Sequence, residues 1–285
     1  MSLGVAFKGP AGIVLAADSR VTLTTTIPSS TPSQNMILPV TFDNATKLLR
    51  VKGQNFVGVV TYGLGAIGQR EPRTPDSYMP EFEEELISEH RLPVEEFAKK
   101  FSGFFMKQWK SRMPSDYEDE PMVFLVGGYD EDAPYGKLFG LSIPNKPEPE
   151  ELNRDTFGII WGGQREISDR LVQGFDDGLV NVLQRTYSLT EPQKTALKEN
   201  LKAQLSLKIP YQFLPLQDCV DLAIFLIGTT IVAQTFLVGV RGVGGAIDVA
   251  TITRTDGFMP VQVKSIMGAR RQVFRKRIAH SRDGE

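Results

Sequence analysis

The sequence predicts an α+β fold in which layered sheets are flanked by helices. Blocks of strand-like and helix-like segments follow one another along the 285 residues, and neither an internal repeat nor a polar linker divides the chain. The composition, 41% hydrophobic and 23% charged, is that of an ordinary globular protein. A chain of this length buries a sizeable core without disulfides or metals. We therefore expect one domain over 1–266, followed by a basic tail over 267–285.

Charge and rare residues exclude several classes of protein. The net charge of −2 gives no overall field that would attract nucleic acid or an anionic membrane. The single cysteine, Cys219, excludes an internal disulfide framework and fits a reducing compartment. Only two histidines, His90 and His280, are present, which disfavours a histidine-rich metal site and a Ser-His-Asp triad. With no signal-peptide pattern at the start, we expect a cytoplasmic protein that needs no cofactor or metal.

The first part of the chain has the pattern of paired strands. Residues 3–8 and 12–17 are almost wholly apolar and are separated by the turn "GPAG", which predicts a hairpin covered on both faces. The stretch 22–43 is rich in Ser, Thr and Pro, and we expect a long loop there. Residues 46–63 return to strand, turn and strand, with "KGQN" as the turn.

The rest of the chain mixes both element types. A Glu-rich helix begins at Pro80, and Pro93 divides it from a second helix. Strands are predicted at 122–129, 136–143 and 157–163, helices at 166–186 and 190–207, and a last hairpin around "RTDG". Thr190 has the position of a helix N-cap. The basic tail is most simply a solvated segment, and a nucleic-acid patch there is only a weak alternative.

One helix could be misread as a membrane span. Residues Leu222–Val240 contain no charge over 19 positions, which is long enough to cross a bilayer. Gln234 and three threonines interrupt the stretch, and no basic cluster or aromatic belt flanks it. A buried helix is the preferred interpretation, and a membrane span stays open as the alternative.

Common catalytic motifs are missing from the sequence. There is no Walker A sequence, no HExxH, no CxxC and no GxSxG. The stretch "GLGAIG" (63–68) fits GxGxxG after a strand, but Pro72 and Pro75 leave no clear helix to follow it. A dinucleotide site is therefore a minor alternative.

Two charged residues stand out against their apolar neighbours. Asp18 ends an apolar strand, and Lys47 begins another. Residues at the ends of adjacent strands can meet, and if both were buried each would need the other, because an unpaired buried charge is costly. On these residues alone, a structural ion pair is the preferred interpretation, and a catalytic pair is the alternative.

The surrounding sequence resembles the proteasome family of N-terminal nucleophile (Ntn) hydrolases, in particular a divergent, bacterial-type relative of the 20S β subunits. The resemblance rests on "AFKGPAGIVLAADSRVT", "TKLLRV", "NFVGVVTYGLGAIG" and "GGAIDVATITRTDG". It covers 2–110, 120–165 and 215–265. It implies a four-layer αββα sandwich with two stacked antiparallel sheets.

The resemblance also implies a threonine- or serine-type peptidase or amidase. The nucleophile falls on Ser2, exposed by removal of Met1, and its α-amine serves as the base; an α-amine titrates near pH 8, so no histidine is needed. Asp18 and Lys47 take the supporting positions. The Thr22 backbone would pair with an extended peptide substrate, and the Gly63 N–H would stabilise the oxyanion.

Three departures qualify that picture. The nucleophile is Ser rather than Thr and depends on removal of Met1. Val240, Val243 and Gly163 stand where the family places accessory Asp and Ser residues. An insert at about 22–43 alters the expected substrate pocket. A second insert at about 166–207 alters the surface on which family members pack together, and the basic tail is extra.

These departures keep a second hypothesis open, a catalytically inactive structural subunit. The expected partners are a peptide or protein substrate, further copies of the chain in a homo-oligomeric ring and a possible ATPase or activator. Nucleic acid and membrane are not expected.

Overall fold

The computed structural model describes residues 2–27, 36–69 and 71–265. Met1, residues 28–35 of the 22–43 insert, residue 70 and residues 266–285 fall outside this range. The strands are β1 Leu3–Lys8, β2 Ile13–Asp18, β3 Val21–Ile27, β4 Met36–Phe42, β5 Leu48–Arg50, β6 Val57–Gly63, β7 Met122–Gly128, β8 Lys137–Ile143, β9 Lys146–Leu152, β10 Gly158–Gly163, β11 Ile247–Thr253 and β12 Gly257–Gln262. The helices are α1 Met79–Glu85, α2 Val94–Arg112, α3 Glu166–Val172, α4 Asp177–Tyr187, α5 Glu191–Leu205 and α6 Leu216–Gln234, with 3₁₀ turns at Pro75–Tyr78 and Tyr211–Phe213.

Ten of these strands form two antiparallel five-stranded sheets. The first sheet has the order β10-β1-β2-β11-β12 and the second β5-β6-β7-β8-β9, while β3 and β4 pair separately. Every position of β1 and β2 is buried, as their continuous apolar sequence predicts for strands covered on both faces. The expected α+β sandwich of stacked antiparallel sheets between helices is confirmed.

Three apolar clusters hold the layers together. Between the sheets lie small and branched side chains such as Leu15, Val60 and Leu125. The outer face of the second sheet packs on α1 and α2 through an aromatic cluster that includes Phe82, Phe101 and Phe124. The first sheet packs on α3 and α6 through a more aliphatic cluster. Burial of these side chains supplies the main driving force for the sandwich.

Helix α6 packs one face on the first sheet and leaves the other in solvent. Ala223, Leu226 and Ile227 are fully buried, whereas Phe225 and Val232 are more than half exposed. By length and composition this helix could cross a membrane, and a third of its apolar window is buried against the protein. The helix is therefore buried on one face only, whereas the buried-helix interpretation predicted burial all round.

Several predicted elements need correction. The prediction of a loop over 22–43 was wrong, because Val21–Ile27 and Met36–Phe42 pair as strands. The β-branched Val, Thr and Ile residues of this stretch favour extended backbone despite its proline content. The sequence did not predict strand β9, because prolines alternate with charged residues in "KPEPEEL". The structure accommodates these prolines because β9 is an edge strand of its sheet. The helix predicted over 166–186 is divided at Gly174, whose φ of +81° ends α3. Thr190 does cap α5, and its N–H donates to Gln193 Oε1.

Candidate active site

Ser2 lies directly before β1, at one end of the sandwich. Its side chain is 2% exposed, and its Oγ accepts a hydrogen bond from the Gly63 N–H at 3.2 Å. Its carbonyl oxygen accepts from the Gln164 N–H at 2.8 Å. The hydroxyl therefore lies within hydrogen-bond reach of a backbone donor, so a carbonyl group attacked by Oγ would lie close to that donor.

Two glycines make this approach possible. Gly63 ends β6 with φ of +83°, and a Cβ there would overlap the Pro121 carbonyl oxygen. Gly163 ends β10 with φ of +99°, and its Cβ would overlap the Ser2 carbonyl oxygen. A side chain at either position would require the backbone to move. The serine expected at 163 is thus sterically incompatible with this backbone.

Asp18 is the centre of the polar network beside Ser2. It is 1% exposed, and its carboxylate accepts four hydrogen bonds. Oδ1 accepts from the Leu3 N–H at 3.0 Å and from Lys47 Nζ at 2.7 Å, while Oδ2 accepts from the N–H groups of Arg20 at 3.1 Å and Gly244 at 3.0 Å. The buried charge is therefore both paired and hydrogen-bonded, the condition under which a carboxylate is stable in an interior.

Lys47 stands at the start of the β5 segment and points at Asp18. Its side chain is 8% exposed. Desolvation lowers the pKa of the Lys47 ammonium, and attraction to Asp18 opposes that shift. Repulsion from Lys264 and Arg20 adds to the lowering. The main-chain carbonyl of Lys47 accepts from the Thr61 N–H at 3.0 Å, which ties it to the strand that ends at Gly63.

Ser19 and Arg20, the two residues that follow Asp18, anchor the loop after β2. The Ser19 hydroxyl donates to the Ala246 carbonyl oxygen at 2.7 Å. The Arg20 guanidinium forms a fork with Asp43 at 2.6 and 2.9 Å and reaches the Arg241 carbonyl oxygen at 3.2 Å. These contacts fix the loops on either side of Asp18.

Thr22 lies on β3, opposite Thr41 of β4. In the described part of the chain β3 pairs only with β4, so its second edge has no strand partner. The Thr22 hydroxyl is buried without a hydrogen-bond partner. The structure does not place Thr22 in the polar network with Ser2.

A small cavity separates these elements. It has a volume of about 20 Å³ and is lined by Ser2, Val21, Lys47, Gly63, Leu64 and Pro75, among others. That is enough space for about one water molecule. With Ser2 itself 2% exposed, little open space lies in front of it.

Sequence reasoning missed two residues of this region, namely Gln164, which contacts Ser2, and Gln234, which contacts Gln164. The Gln234 side chain, at the end of α6, accepts from the Val243 N–H at 2.9 Å and donates to the Gln164 side-chain oxygen. A signal existed, because Gln234 is a polar residue inside the long apolar stretch 222–240. Its partner at 164 could not be identified from spacing alone.

The alternative sites of the sequence have less support. No helix follows "GLGAIG" within 63–69 or 71–74, and His90 is solvent-exposed. Across the ranges that the structure describes, no group of three or more His, Cys, Asp or Glu side chains could hold a metal ion. His280 lies outside those ranges.

Solved structures with a similar fold come from Anbu proteins. A structure of an Anbu (Gly-1) mutant from Hyphomicrobium sp. strain MC1 matches 93% of this chain and 86% of its own, with a TM-score of 0.53 and 14% identity. A structure of the helical assembly of the Anbu complex from Pseudomonas aeruginosa matches 91% and 84%, with a TM-score of 0.54 and 15% identity. No family model matches the sequence, and no curated protein matches it significantly.

These findings correct the family assignment. Placement of the chain beside the β subunits of the 20S proteasome was wrong: no family model supports it, and the two similar structures named above are Anbu proteins at low identity. In this chain the string "AADSR" marks the point where the buried strand β2 ends at Asp18. Such low identity establishes the architecture alone. The chain has a proteasome-like Ntn-hydrolase fold.

Proposed function

We propose that this chain is a serine-type Ntn hydrolase that cleaves peptide or amide bonds, with Ser2 as its nucleophile. The observation that carries the proposal is the buried Ser2 Oγ, 3.2 Å from the Gly63 N–H, in a cavity shared with Lys47. Lys47 in turn binds Asp18 at 2.7 Å. This set supplies a nucleophilic hydroxyl, a backbone donor for the oxyanion and a cation that can lower the proton affinity of a neighbouring base.

The base in this proposal is the α-amine of Ser2, freed by cleavage of the Met1–Ser2 bond. The amine takes the hydroxyl proton as Oγ attacks the carbonyl carbon, and Gly63 N–H donates to the oxyanion that forms. The amine then gives the proton to the leaving nitrogen, and an ester to Ser2 remains. Water, deprotonated by the same amine, hydrolyses that ester and restores the hydroxyl.

Lys47 and Asp18 support this chemistry electrostatically. The nearby ammonium disfavours protonation of the amine and so keeps more of it available as a base near neutral pH. Asp18 holds Lys47 in place and, through the Leu3 N–H, fixes the residue next to the nucleophile. No histidine is needed.

Thr22 is the proposed contact for the substrate main chain. The free edge of β3 offers backbone groups to which an extended peptide can add as a further strand. A peptide bound there would reach Ser2 only if the small cavity opened, so we propose that substrate binding displaces its lining.

Mass spectrometry with two covalent probes tests this function. A β-lactone needs only the Ser2 hydroxyl, whereas an epoxyketone closes a ring only where a hydroxyl and a free amine are adjacent. We expect both adducts on Ser2 in molecules that lack Met1, none on Ser2→Ala, and labelling retained by Ser2→Thr. Labelling of Ser2→Ala at the wild-type rate would contradict the assignment of the nucleophile.

Assembly into homo-oligomers is part of the proposal. The similar structure from Pseudomonas aeruginosa is a helical assembly of the Anbu complex, which supports self-association in this fold. A ring, an ATPase or activator partner and a cytoplasmic location stay predictions from the sequence. Sedimentation of the purified protein measures the assembly directly.

A catalytically inactive assembly subunit is the second candidate. It is favoured by Gly163, Val240 and Val243, which supply no acid or hydroxyl beside Ser2, and by the cavity of about 20 Å³. Met1 retained in every molecule, with no labelling by either probe, would support this candidate over the hydrolase.

A further inference from the structure

The side chain of Gln234 bridges the two segments that hold Ser2 and Asp18. On one side, Gln234 Nε2 donates to Gln164 Oε1, and the Gln164 main-chain N–H donates to the Ser2 carbonyl oxygen at 2.8 Å. On the other side, Gln234 Oε1 accepts from the Val243 N–H at 2.9 Å. The next residue, Gly244, donates its N–H to Asp18 Oδ2 at 3.0 Å.

A carboxamide suits this bridge for a chemical reason. Val243 N–H can only donate, so it fixes which end of Gln234 is the acceptor, and the other end is then a donor for Gln164. Gln234 is 9% exposed, so loss of either bond would leave a buried polar group unsatisfied.

The bridge is also anchored in a rigid element. Gln234 is the last residue of α6, whose inner face is buried on the first sheet, and Thr230 one turn earlier donates back to the Leu226 carbonyl oxygen at 2.8 Å. Gln164 lies between β10 and α3. The end of α6 therefore sets the distance between the segments at 164 and 243–244.

We propose that Gln234 is a positioning residue, which keeps Ser2 and the Asp18–Lys47 pair in register through Gln164 and the Val243–Gly244 segment. The effect of Gln234 on the reaction rate rests on the proposed hydrolase function. A small displacement of reacting groups is costly, so loss of the bridge should slow acylation without much change in probe binding.

The test compares Gln234→Met with Gln217→Met. Gln217 is an exposed residue at the other end of α6, so the same substitution there serves as the matched control. We measure β-lactone acylation of Ser2 as kinact and KI, and hydrogen exchange of peptides that span 162–166 and 242–246. Gln234→Met should lower kinact by roughly tenfold or more with little change in KI, and should speed exchange in both peptides. Gln217→Met should match the wild type.

Two further variants protect the test against a folding defect. Gln234→Glu keeps an acceptor for the Val243 N–H, and the Gln164 amide can rotate so that its NH2 group donates to the second carboxylate oxygen. Most of the kinact lost in Gln234→Met should therefore return in Gln234→Glu. Gln164→Met breaks the same bridge, and its effect should not add to that of Gln234→Met because the two residues act in series. Additive effects, or no rescue by Glu, would overturn the inference.

The two proposals fail in distinguishable ways. If wild-type protein is not acylated, the hydrolase proposal fails, and hydrogen exchange alone decides the positioning role. Faster exchange at both 162–166 and 242–246 in Gln234→Met supports it, and unchanged exchange overturns it. Wild-type-like kinact in a folded Gln234→Met protein overturns it as well.

Discussion

Each end of strand β1 has a buried lysine nearby, but the two lysines have different surroundings. Lys8 is 5% exposed and donates to two backbone carbonyl oxygens, those of Asn153 at 2.7 Å and Arg154 at 2.8 Å. Lys47, near the Ser2 end, is 6% exposed, donates to the Asp18 carboxylate and lines the cavity with Ser2. Desolvation lowers the pKa of both ammonium groups.

The comparison shows that burial and a shifted pKa do not by themselves identify a functional lysine. Lys8 closes the turn after β9, where its hydrogen bonds serve main-chain groups that would otherwise be unsatisfied. Lys47 meets a carboxylate on one side and a nucleophile candidate on the other. What the lysine faces, rather than how deeply it is buried, separates a structural role from a proposed catalytic one.

Substitution of the two lysines by Met should give the largest contrast. Lys47→Met leaves Asp18 without its counter-charge, which should lower the free energy of unfolding by about 3–5 kcal/mol. It should also slow β-lactone labelling of Ser2 by roughly a hundredfold, because a preorganised cation is lost. Lys8→Met should cost about 1–3 kcal/mol for the unpaired carbonyls and leave labelling unchanged. Urea denaturation measures the free energy of unfolding, and intact mass measures the labelling of Ser2. Equal loss of labelling in the two variants would contradict the distinction between the two lysines.

Two glycines, one in the turn before β6 and one at the end of β6, extend the comparison. Gly53 in the preceding turn has φ of +84° with open space around its Cα, whereas Gly63 has φ of +83° and faces Pro121. Gly53→Ala should cost about 1–2 kcal/mol through backbone strain alone. Gly63→Ala should cost more, because the backbone must shift, and should slow labelling as its N–H moves from Ser2. Similar stability in both variants would show that the Pro121 contact relaxes without cost.

The smallest expected effect is a pH dependence at Lys8. Burial lowers the pKa of Lys8 below its ordinary 10.5, so the folded protein releases this proton at a lower pH than the unfolded chain. Between those two values the unfolded state binds more protons, and stability rises with pH. The free energy of unfolding of wild type, relative to Lys8→Met, should therefore rise as the pH approaches 10.5. A flat or falling difference in urea titrations would show that Lys8 is not desolvated.

Much of the sandwich could be predicted because its central strands carry strong local signals. The apolar runs at β1 and β2 and the turn "GPAG" determine a hairpin, and strand-end residues such as Asp18 and Lys47 can then be expected to meet. The β3–β4 pair could not be predicted from its Ser, Thr and Pro content, since those residues also favour loops.

The remainder of the site depends on tertiary structure. Gln164 and Gln234 are 70 positions apart, and their contact follows from where α6 ends relative to β10. The need for glycine at 163 is visible only once the Ser2 carbonyl is in place. The catalytic roles of Ser2, Asp18, Lys47, Thr22 and Gly63 stay predictions until labelling tests them.

The four donors around the Asp18 carboxylate bear on how the chain folds. They come from residues 3, 20, 47 and 244, so the network closes only when the first and last parts of the described chain have met. Contacts of such sequence separation form slowly, and on the ribosome the segment at 244 emerges long after Ser2. The proposed nucleophile therefore has no complete site around it until the sandwich is finished, which delays its reactivity until folding is complete.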